Sequence, residues 1–216
     1  MILAAIFDMD GTLADSVPMH FAIWEKVLAG YGVQIEYKDW KPFIGKLGDL
    51  FIKHLEDEMG LDLDPEKLID EKRAIIKKVY NQKIDIFPGV KELLQALQDS
   101  GCSLAIASSE WHNHIIKFLS LNNIEKYFPI ILGREDIKNH KPDPDVYLRT
   151  AKKLGVNPID CVVFEDSIVG VEAAKRAGMK CIAIKTTFSG KELAQADLIV
   201  KNLEEKEKIM KFIRKN

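Results

Sequence analysis

The chain has 216 residues, 47% of them hydrophobic and 30% charged, which is the composition of an ordinary globular protein with room for one good core and a second, small one. Lys and Arg number 31 against 33 Asp and Glu, a formal net charge of −2. No global basic field therefore draws the chain to nucleic acid or to an anionic membrane, and any attraction for a phosphate has to be local.

The first apolar run, Leu3 to Phe7, reads as a buried strand and is ended by Asp8. It lacks a positive leader and a small-residue cleavage site, so it is not read as a signal peptide. No apolar run approaches the roughly 18 residues that a spanning helix needs. The expectation is a chain with no membrane and no nucleic-acid partner. Residues 17–83 contain no convincing strand. Val17 to Tyr31, Leu47 to Met59 and Glu66 to Tyr80 carry apolar residues at helical spacing. Asp62-Leu63-Asp64-Pro65 offers a cap followed by Pro in the first helical turn. A structureless loop of that length is implausible, so this stretch is expected to be a helical insertion.

After Pro88-Gly89 the chain alternates. Helices are expected over Lys91 to Ser100, Trp111 to Leu121, Pro144 to Leu154 and Val169 to Ala177. Strands are expected over Ser103 to Ala107, Ile130 to Leu132, Cys161 to Phe164, Cys181 to Ile184 and Asp197 to Val200. Gly101, Gly155 and Gly178 stand where left-handed C-caps belong. Near-continuous apolar strands between helices indicate a parallel sheet covered on both faces, a doubly wound α/β core. The expected division is residues 1–16 and 84–216 as that core, with 17–83 as a helical cap. Glu204 to Lys215, rich in Glu and Lys, reads as a solvated helix. Cys102, Cys161 and Cys181 are scattered and have no metal-ligand spacing; they read as buried free thiols of a reducing cytoplasm, the expected location.

Ligands of an open parallel sheet bind beyond the carboxyl ends of the strands. Those ends carry Asp8-Met9-Asp10-Gly11-Thr12, Ser108-Ser109, Lys141 and Glu165-Asp166. Converging carboxylates would repel one another and a phosphate. A hard divalent cation resolves this, and an oxygen-only donor set suits Mg²⁺. With Mg²⁺ and Lys141 in place a phosphate can approach Asp8, and a carboxylate nucleophile splits the transfer into two steps. Asp10, two residues on, has the spacing of an acid/base partner. Gly11 permits a turn that aims backbone N–H groups at the phosphate, with Thr12 in the same loop. Ser108, with Ser109 beside it, can donate to a phosphate oxygen.

In combination, Asp8-x-Asp10-Gly11-Thr12, Ser108, Lys141-Pro142-Asp143-Pro144 and Phe164-Glu165-Asp166-Ser167 resemble the four motifs of the haloacid dehalogenase-like superfamily, along the full chain. The helical insert is similar to that family's cap of the first type. The resemblance implies a mostly parallel Rossmann-like sheet. It makes Asp8 the nucleophile and a Mg²⁺ ligand. Asp10 becomes the acid/base, with its carbonyl also on the metal. Asp166 is implied as a direct ligand and Glu165 as one through water. Ser108 and Lys141 hold the phosphate. The paired aspartates resemble the superfamily's phosphotransferases rather than its dehalogenases.

Bland readings stand beside each assignment. Asp-Gly is a common turn pair. Ser108 could cap the helix from Trp111, and Asp166 with Ser167 the helix that follows. Lys141 could be a solvated loop lysine. His20, ten residues past Asp10, could be structural, although some mutases and phosphatases of this subgroup have a similar Asp-Ser/Thr-x-x-x-His pattern. His54, His112, His114 and His140 are given no role. Trp24, Trp40 and Phe43 read as cap core. Lys72, Arg73, Lys77 and Lys78 read as a solvated charge run, with Lys72 the one placed to reach a substrate.

The expected activity is Mg²⁺-dependent hydrolysis of a small phosphomonoester, with phosphoglycolate, sugar phosphates and nucleotides all open. A β-phosphoglucomutase-like isomerase is the rival. It needs a second phosphate site, for which Lys46 is a candidate but Glu110 carries the wrong charge. A non-catalytic phospho-ligand binder is a third reading, but it has no need of both Asp8 and Asp10. No GxxxxGK or GxGxxG loop is present. The oligomeric state is open, with a monomer as the working expectation.

Overall fold

The computed structural model describes residues 1–46, 48–82 and 84–216. β1 (Ala4–Phe7) opens the chain, and all four of its side chains are buried, as a strand covered on both faces requires. Four helices follow: α1 (Val17–Ala29), α2 (Tyr37–Trp40), α3 (Gly48–Met59) and α4 (Pro65–Val79). The remainder alternates as α5 (Val90–Asp99), β2 (Ser103–Ala107), α6 (His112–Leu121), β3 (Ile130–Leu132), α7 (Asp145–Leu154), β4 (Cys161–Glu165), α8 (Ile168–Arg176), β5 (Lys180–Ile184), β6 (Leu198–Val200) and α9 (Lys206–Lys215). The doubly wound expectation holds, with boundaries moved by one or two residues. Pro144, expected inside the first turn, is instead the residue before it.

The six strands are ordered β3-β2-β1-β4-β5-β6 and every pairing is parallel. Ile6 faces Ala105 on one side and Val163 on the other, so β1 is central. From β1 the chain winds outward to β3, then returns to β1's other side as β4 and winds outward again. Strand order thus reverses beside β1, and the crevice beyond the carboxyl ends of β1 and β4 is the topological switch point. Asp8 follows one of these ends, and Glu165-Asp166 stands at the other.

Within the insert, α1 and α3 both pack on α4. Trp24 and Phe51 meet edge to face there, with ring centroids 5.6 Å apart. Asp64 accepts the Lys67 N–H, so the anticipated cap of α4 is made. The expected helix start at Leu47 and the domain edge at Lys83 lie outside the described residues. α2 and the 3₁₀ turn Lys41–Phe43 were not anticipated, because one turn is too short to display a helical period.

Gly101, Gly155 and Gly178 all have positive φ, as C-cap glycines do. The three cysteines are free and buried. The C-terminal helix is not solvated all round: Ile209, Met210 and Ile213 are buried and α9 packs on α5. Its Glu and Lys residues surround a narrow apolar stripe that bulk composition hides. Among the described residues, no helix is long and apolar enough to cross a membrane.

Candidate active site

Asp8 leaves the end of β1 nearly buried, and Lys141 reaches it from the loop before α7. The Lys141 Nζ donates to Asp8 Oδ1 at 2.6 Å and to Glu165 Oε1 at 2.6 Å. Lys141 is 5% exposed and is no solvated loop lysine. Burial works against its charge, but Asp8 and Glu165 outweigh that and raise its pKa. Glu165 Oε1 also accepts from the Tyr147 hydroxyl, and Oε2 accepts from the Asp166 N–H, the Ser167 N–H and the Ser167 hydroxyl. Those donors fill the roughly four lone-pair sites of a carboxylate. Glu165 therefore fixes Lys141 and the start of α8 and has no lone pair to spare for a direct metal bond. Ser167, rather than Asp166, caps α8 through the Gly170 N–H.

Asp166 accepts from the Thr12 hydroxyl at 3.2 Å and from the Thr187 hydroxyl. Oxygens of Asp8, Glu165 and Asp166 all lie within 4.8 Å of one another. Burial, chiefly, and the neighbouring Glu165 push the Asp166 carboxyl up to about 8. Asp8 is also raised well above the usual carboxylate range. Burial is the main cause, Glu165 and Asp166 add to it, and Lys141 opposes it. Crowded, oxygen-only carboxylates that the protein alone holds partly protonated are what a hard divalent cation relieves. The donor set fits Mg²⁺, with Asp8 and Asp166 as the residues able to hold it.

Gly11 and Thr12 stand behind this cluster instead of facing a phosphate. The Gly11 N–H donates to the Ala14 carbonyl and the Thr12 N–H to Met9, so neither amide is aimed at a ligand. Gly11 adopts φ +80°, and a Cβ there would run into the Asp166 carboxylate. Its role is to let Asp166 come close. Thr186, after β5, donates to the Gly11 carbonyl and holds the loop.

Asp10 is surrounded differently. The Ser16 hydroxyl donates to Oδ1 at 2.5 Å and the Tyr80 hydroxyl at 3.0 Å, and His20 Nε2 lies 3.3 Å away. Among the described residues all three go to Oδ1, and Oδ2 has no partner. Burial would raise its pKa, but His20, Ser16 and Tyr80 together lower it. Ser16 sits at the N-cap position of α1 yet leaves the helix uncapped, its hydroxyl being used on Asp10. His20 is thereby brought beside Asp10. Tyr80, the C-cap of α4, was missed. Its ring stacks on His114, with centroids 4.9 Å apart and planes 5° off parallel. His114 was assigned no role; its Nδ1 lies 3.0 Å from Glu110 Oε1.

These groups line one cavity of about 170 Å³, whose walls include Asp8, Asp10, His20, Ser108, Ser109, Lys141 and Asp166. Ser108 does not cap α6. Its oxygen accepts the Glu110 N–H at 3.1 Å, which leaves the hydroxyl proton free to donate into the cavity. Trp24 and Trp40 are buried core as expected, and with Phe43 they also wall the cavity. Lys46 and Lys72 both reach it. Burial brings the Lys72 ammonium down to about 8; Glu110 and Asp10 oppose the shift and Arg134 adds a little to it. Arg73, although exposed, lines it as well, whereas the equally exposed Lys77 and Lys78 do not. Arg134 was missed, although it follows the end of β3, where the strand-end rule would have found it. Glu110 is mostly occupied: Oε1 accepts the Trp111 N–H and faces His114, and the carboxylate lies within 4.8 Å of Asp10 and His20. It lies beside Asp10 and His20, and its charge also acts on Lys72.

The family model of haloacid dehalogenase-like hydrolases matches residues 5–184. A Thermotoga maritima protein named phosphorylated carbohydrates phosphatase is 33% identical over 202 residues, 91% of this chain and 92% of its own. The fructose-1-phosphate phosphatase of Escherichia coli K12 is 31% identical over 186 residues, 83% of this chain and 95% of its own. Among solved structures, a β-phosphoglucomutase from Clostridium difficile superposes with a TM-score of 0.84 at 25% identity, covering 100% of this chain and 98% of that one.

Proposed function

The chain belongs to the haloacid dehalogenase-like hydrolases, and from that premise we propose that it is a Mg²⁺-dependent phosphatase of small phosphomonoesters. The carrying observation is that Asp8, held by Lys141, and Asp10, with one oxygen unpartnered, border the same cavity. The curated relatives named for sugar-phosphate hydrolysis support the same class. On this reading residues 1–16 and 84–216 are the catalytic core and 17–83 the cap that supplies Lys46, Lys72 and Arg73 to the cleft.

Asp8 attacks the phosphorus, forming an aspartyl phosphate, while Asp10 protonates the leaving oxygen through Oδ2. Asp10 then takes a proton from the water that releases phosphate. Lys141 and the Ser108 hydroxyl hold the phosphoryl oxygens. In the protein alone, Asp8 is raised and Asp10 lowered, opposite to what these roles need. When bound, Mg²⁺ holds Asp8 and Asp166 ionised and shields them from the phosphate's charge. The ester's own negative charge, arriving beside Asp10, raises that carboxyl toward its acid role.

The test is phosphate release from p-nitrophenyl phosphate and a panel of small phosphomonoesters with Mg²⁺. Asp8→Asn should abolish it and EDTA should suppress it. Activity that survives either treatment would overturn the mechanism. A mutase is favoured by one observation, the cations Lys46, Lys72, Arg73 and Arg134 on the cavity lining. Incubation with β-glucose 1-phosphate separates the two: free phosphate marks the hydrolase and glucose 6-phosphate the mutase.

A further inference from the structure

Behind the donor to Asp10 stands a second buried pair that the proposed mechanism does not use. The Tyr80 hydroxyl donates to Asp10 Oδ1 at 3.0 Å, and Tyr80 is 1% exposed. Among the described residues, the ring that stacks on Tyr80 is His114, in the first turn of α6. His114 Nδ1 in turn lies 3.0 Å from Glu110 Oε1, and both side chains are buried. Glu110 is pinned at three points. Its N–H donates to the Ser108 hydroxyl oxygen, its carbonyl accepts the Arg134 N–H, and Oε1 accepts the Trp111 N–H. Packing alone does not call for this arrangement. An apolar ring would fill the space beside Tyr80, whereas an imidazole and a carboxylate taken out of water have to be closely partnered to be tolerated. What the pair adds is a fixed ring plane. The bond to a pinned carboxylate sets the imidazole, and the stacked imidazole limits how the Tyr80 ring can swing.

We propose that His114 is a positioning residue for the second step of the reaction: held by Glu110 it holds Tyr80, and the Tyr80 hydroxyl keeps Asp10 turned so that Oδ2 is left for the attacking water. The inference rests on Asp10 as the acid/base of the phosphatase reading. A phenolic O–H lies in the plane of its ring, so the plane that His114 imposes also aims the proton at Oδ1. A hydroxyl binds a carboxylate about twice as strongly as it binds a neutral acceptor. The support therefore counts most once Asp10 has given its proton to the leaving group and must take one from water.

The test uses the Mg²⁺-loaded enzyme and p-nitrophenyl phosphate. It is made at His114, because Glu110 itself lies beside Asp10 and His20. Slower hydrolysis of the aspartyl phosphate lowers kcat and KM together and leaves kcat/KM, which ends at formation of that intermediate, nearly unchanged. In H114A kcat should fall by about tenfold, part of the roughly 10²–10⁴-fold that acid–base catalysis contributes, with kcat/KM within about twofold and a larger p-nitrophenol burst. H114F keeps a ring against Tyr80 but loses the bond to Glu110. It should move the same quantities less, and it carries the test if H114A does not fold. In Y80F/H114A kcat should stay within about twofold of Y80F alone, since His114 acts through Tyr80. Equal losses of kcat and kcat/KM, an unchanged kcat, or additive losses in the double variant overturn the inference and leave the phosphatase reading intact. If the wild-type enzyme hydrolyses no phosphomonoester, that reading fails instead. The crystal structure of H114A then decides the positioning: a Tyr80 hydroxyl moved off Asp10 Oδ1 supports it, and an unmoved one overturns it.

Discussion

Lys141→Met is the substitution whose consequence can be worked furthest from the structure. The lysine is 5% exposed and sits 2.6 Å from both Asp8 and Glu165. Removing one partner of a buried ion pair costs about 3–5 kcal/mol, because it leaves an uncompensated charge. Glu165 keeps Tyr147 and the donors at 166 and 167, so the lower part of that range, about 3 kcal/mol, is expected. In a chain of this size that lowers Tm by about 6–12 °C. The loss should be larger at pH 8 than at pH 5. Without the lysine, Asp8 and Glu165 titrate above their unfolded values, so the native state binds more protons and stability falls as pH rises. Thermal and urea unfolding in EDTA measure this, since added Mg²⁺ would stabilise the native state by mass action. The double variant K141M/E165Q should be less destabilised than the sum of its singles by about 1 kcal/mol or more. A drop under about 1 kcal/mol, or additivity within about 0.5 kcal/mol, would refute the assignment of Lys141 as the central counter-charge.

Three other perturbations have definite signs. Tyr80→Phe removes one of three donors to Asp10 Oδ1, so the limb of the kcat/KM pH profile that belongs to Asp10 should move to higher pH; an unmoved limb would make Tyr80 packing only. The Asp166 carboxyl is raised to about 8 in the metal-free protein, so Mg²⁺ competes with a proton for it; Mg²⁺ affinity by calorimetry should climb between pH 6 and 8 and then level off, with proton release on binding. The same raised pKa makes the metal-free protein lose stability as pH rises toward 8. Gly11→Ala forces an L-residue to φ +80° against Asp166; a loss of about 1–2 kcal/mol in urea unfolding, with weakened Mg²⁺ binding, is expected, and unchanged Mg²⁺ affinity would remove Gly11 from the support of Asp166.

What the sequence disclosed and what it hid divide by the kind of contact involved. The strands, most helices and the residues at the strand ends were legible, because apolar runs and caps are local and the switch-point rule turns strand order into a site. Asp8, Asp10, His20, Ser108, Lys141 and Asp166 all border the cavity that rule indicates. Side-chain direction was not legible. Gly11 and Thr12 share the loop of Asp8 and yet face Asp166, and Glu165 neighbours Asp166 and yet has its lone pairs filled by Lys141, Tyr147 and Ser167.

The chemistry of the two aspartates is set at still longer range. They stand two residues apart on the same loop and differ only in what the fold brings to them. Asp8 receives Lys141 from 133 residues away and the crowding of β4's end, whereas Asp10 receives Tyr80 from 70 residues away across the end of α4. Tyr80 ends α4, and its stacking partner His114 belongs to α6. Any displacement of α4 relative to the sheet therefore acts on the donor to Asp10 before it acts on Asp8. The helices between β1 and α5 thus meet Asp10 through the Tyr80 hydroxyl of the α4 end and through His20 of α1. It follows that the two steps should respond differently when Tyr80 is altered. Attack by Asp8 needs Asp10 protonated and hydrolysis needs it ionised, so removing a donor that stabilises the ionised form should slow release of the aspartyl phosphate more than its formation. A larger p-nitrophenol burst relative to steady-state turnover of p-nitrophenyl phosphate in Tyr80→Phe would show that order, and an unchanged ratio would contradict it.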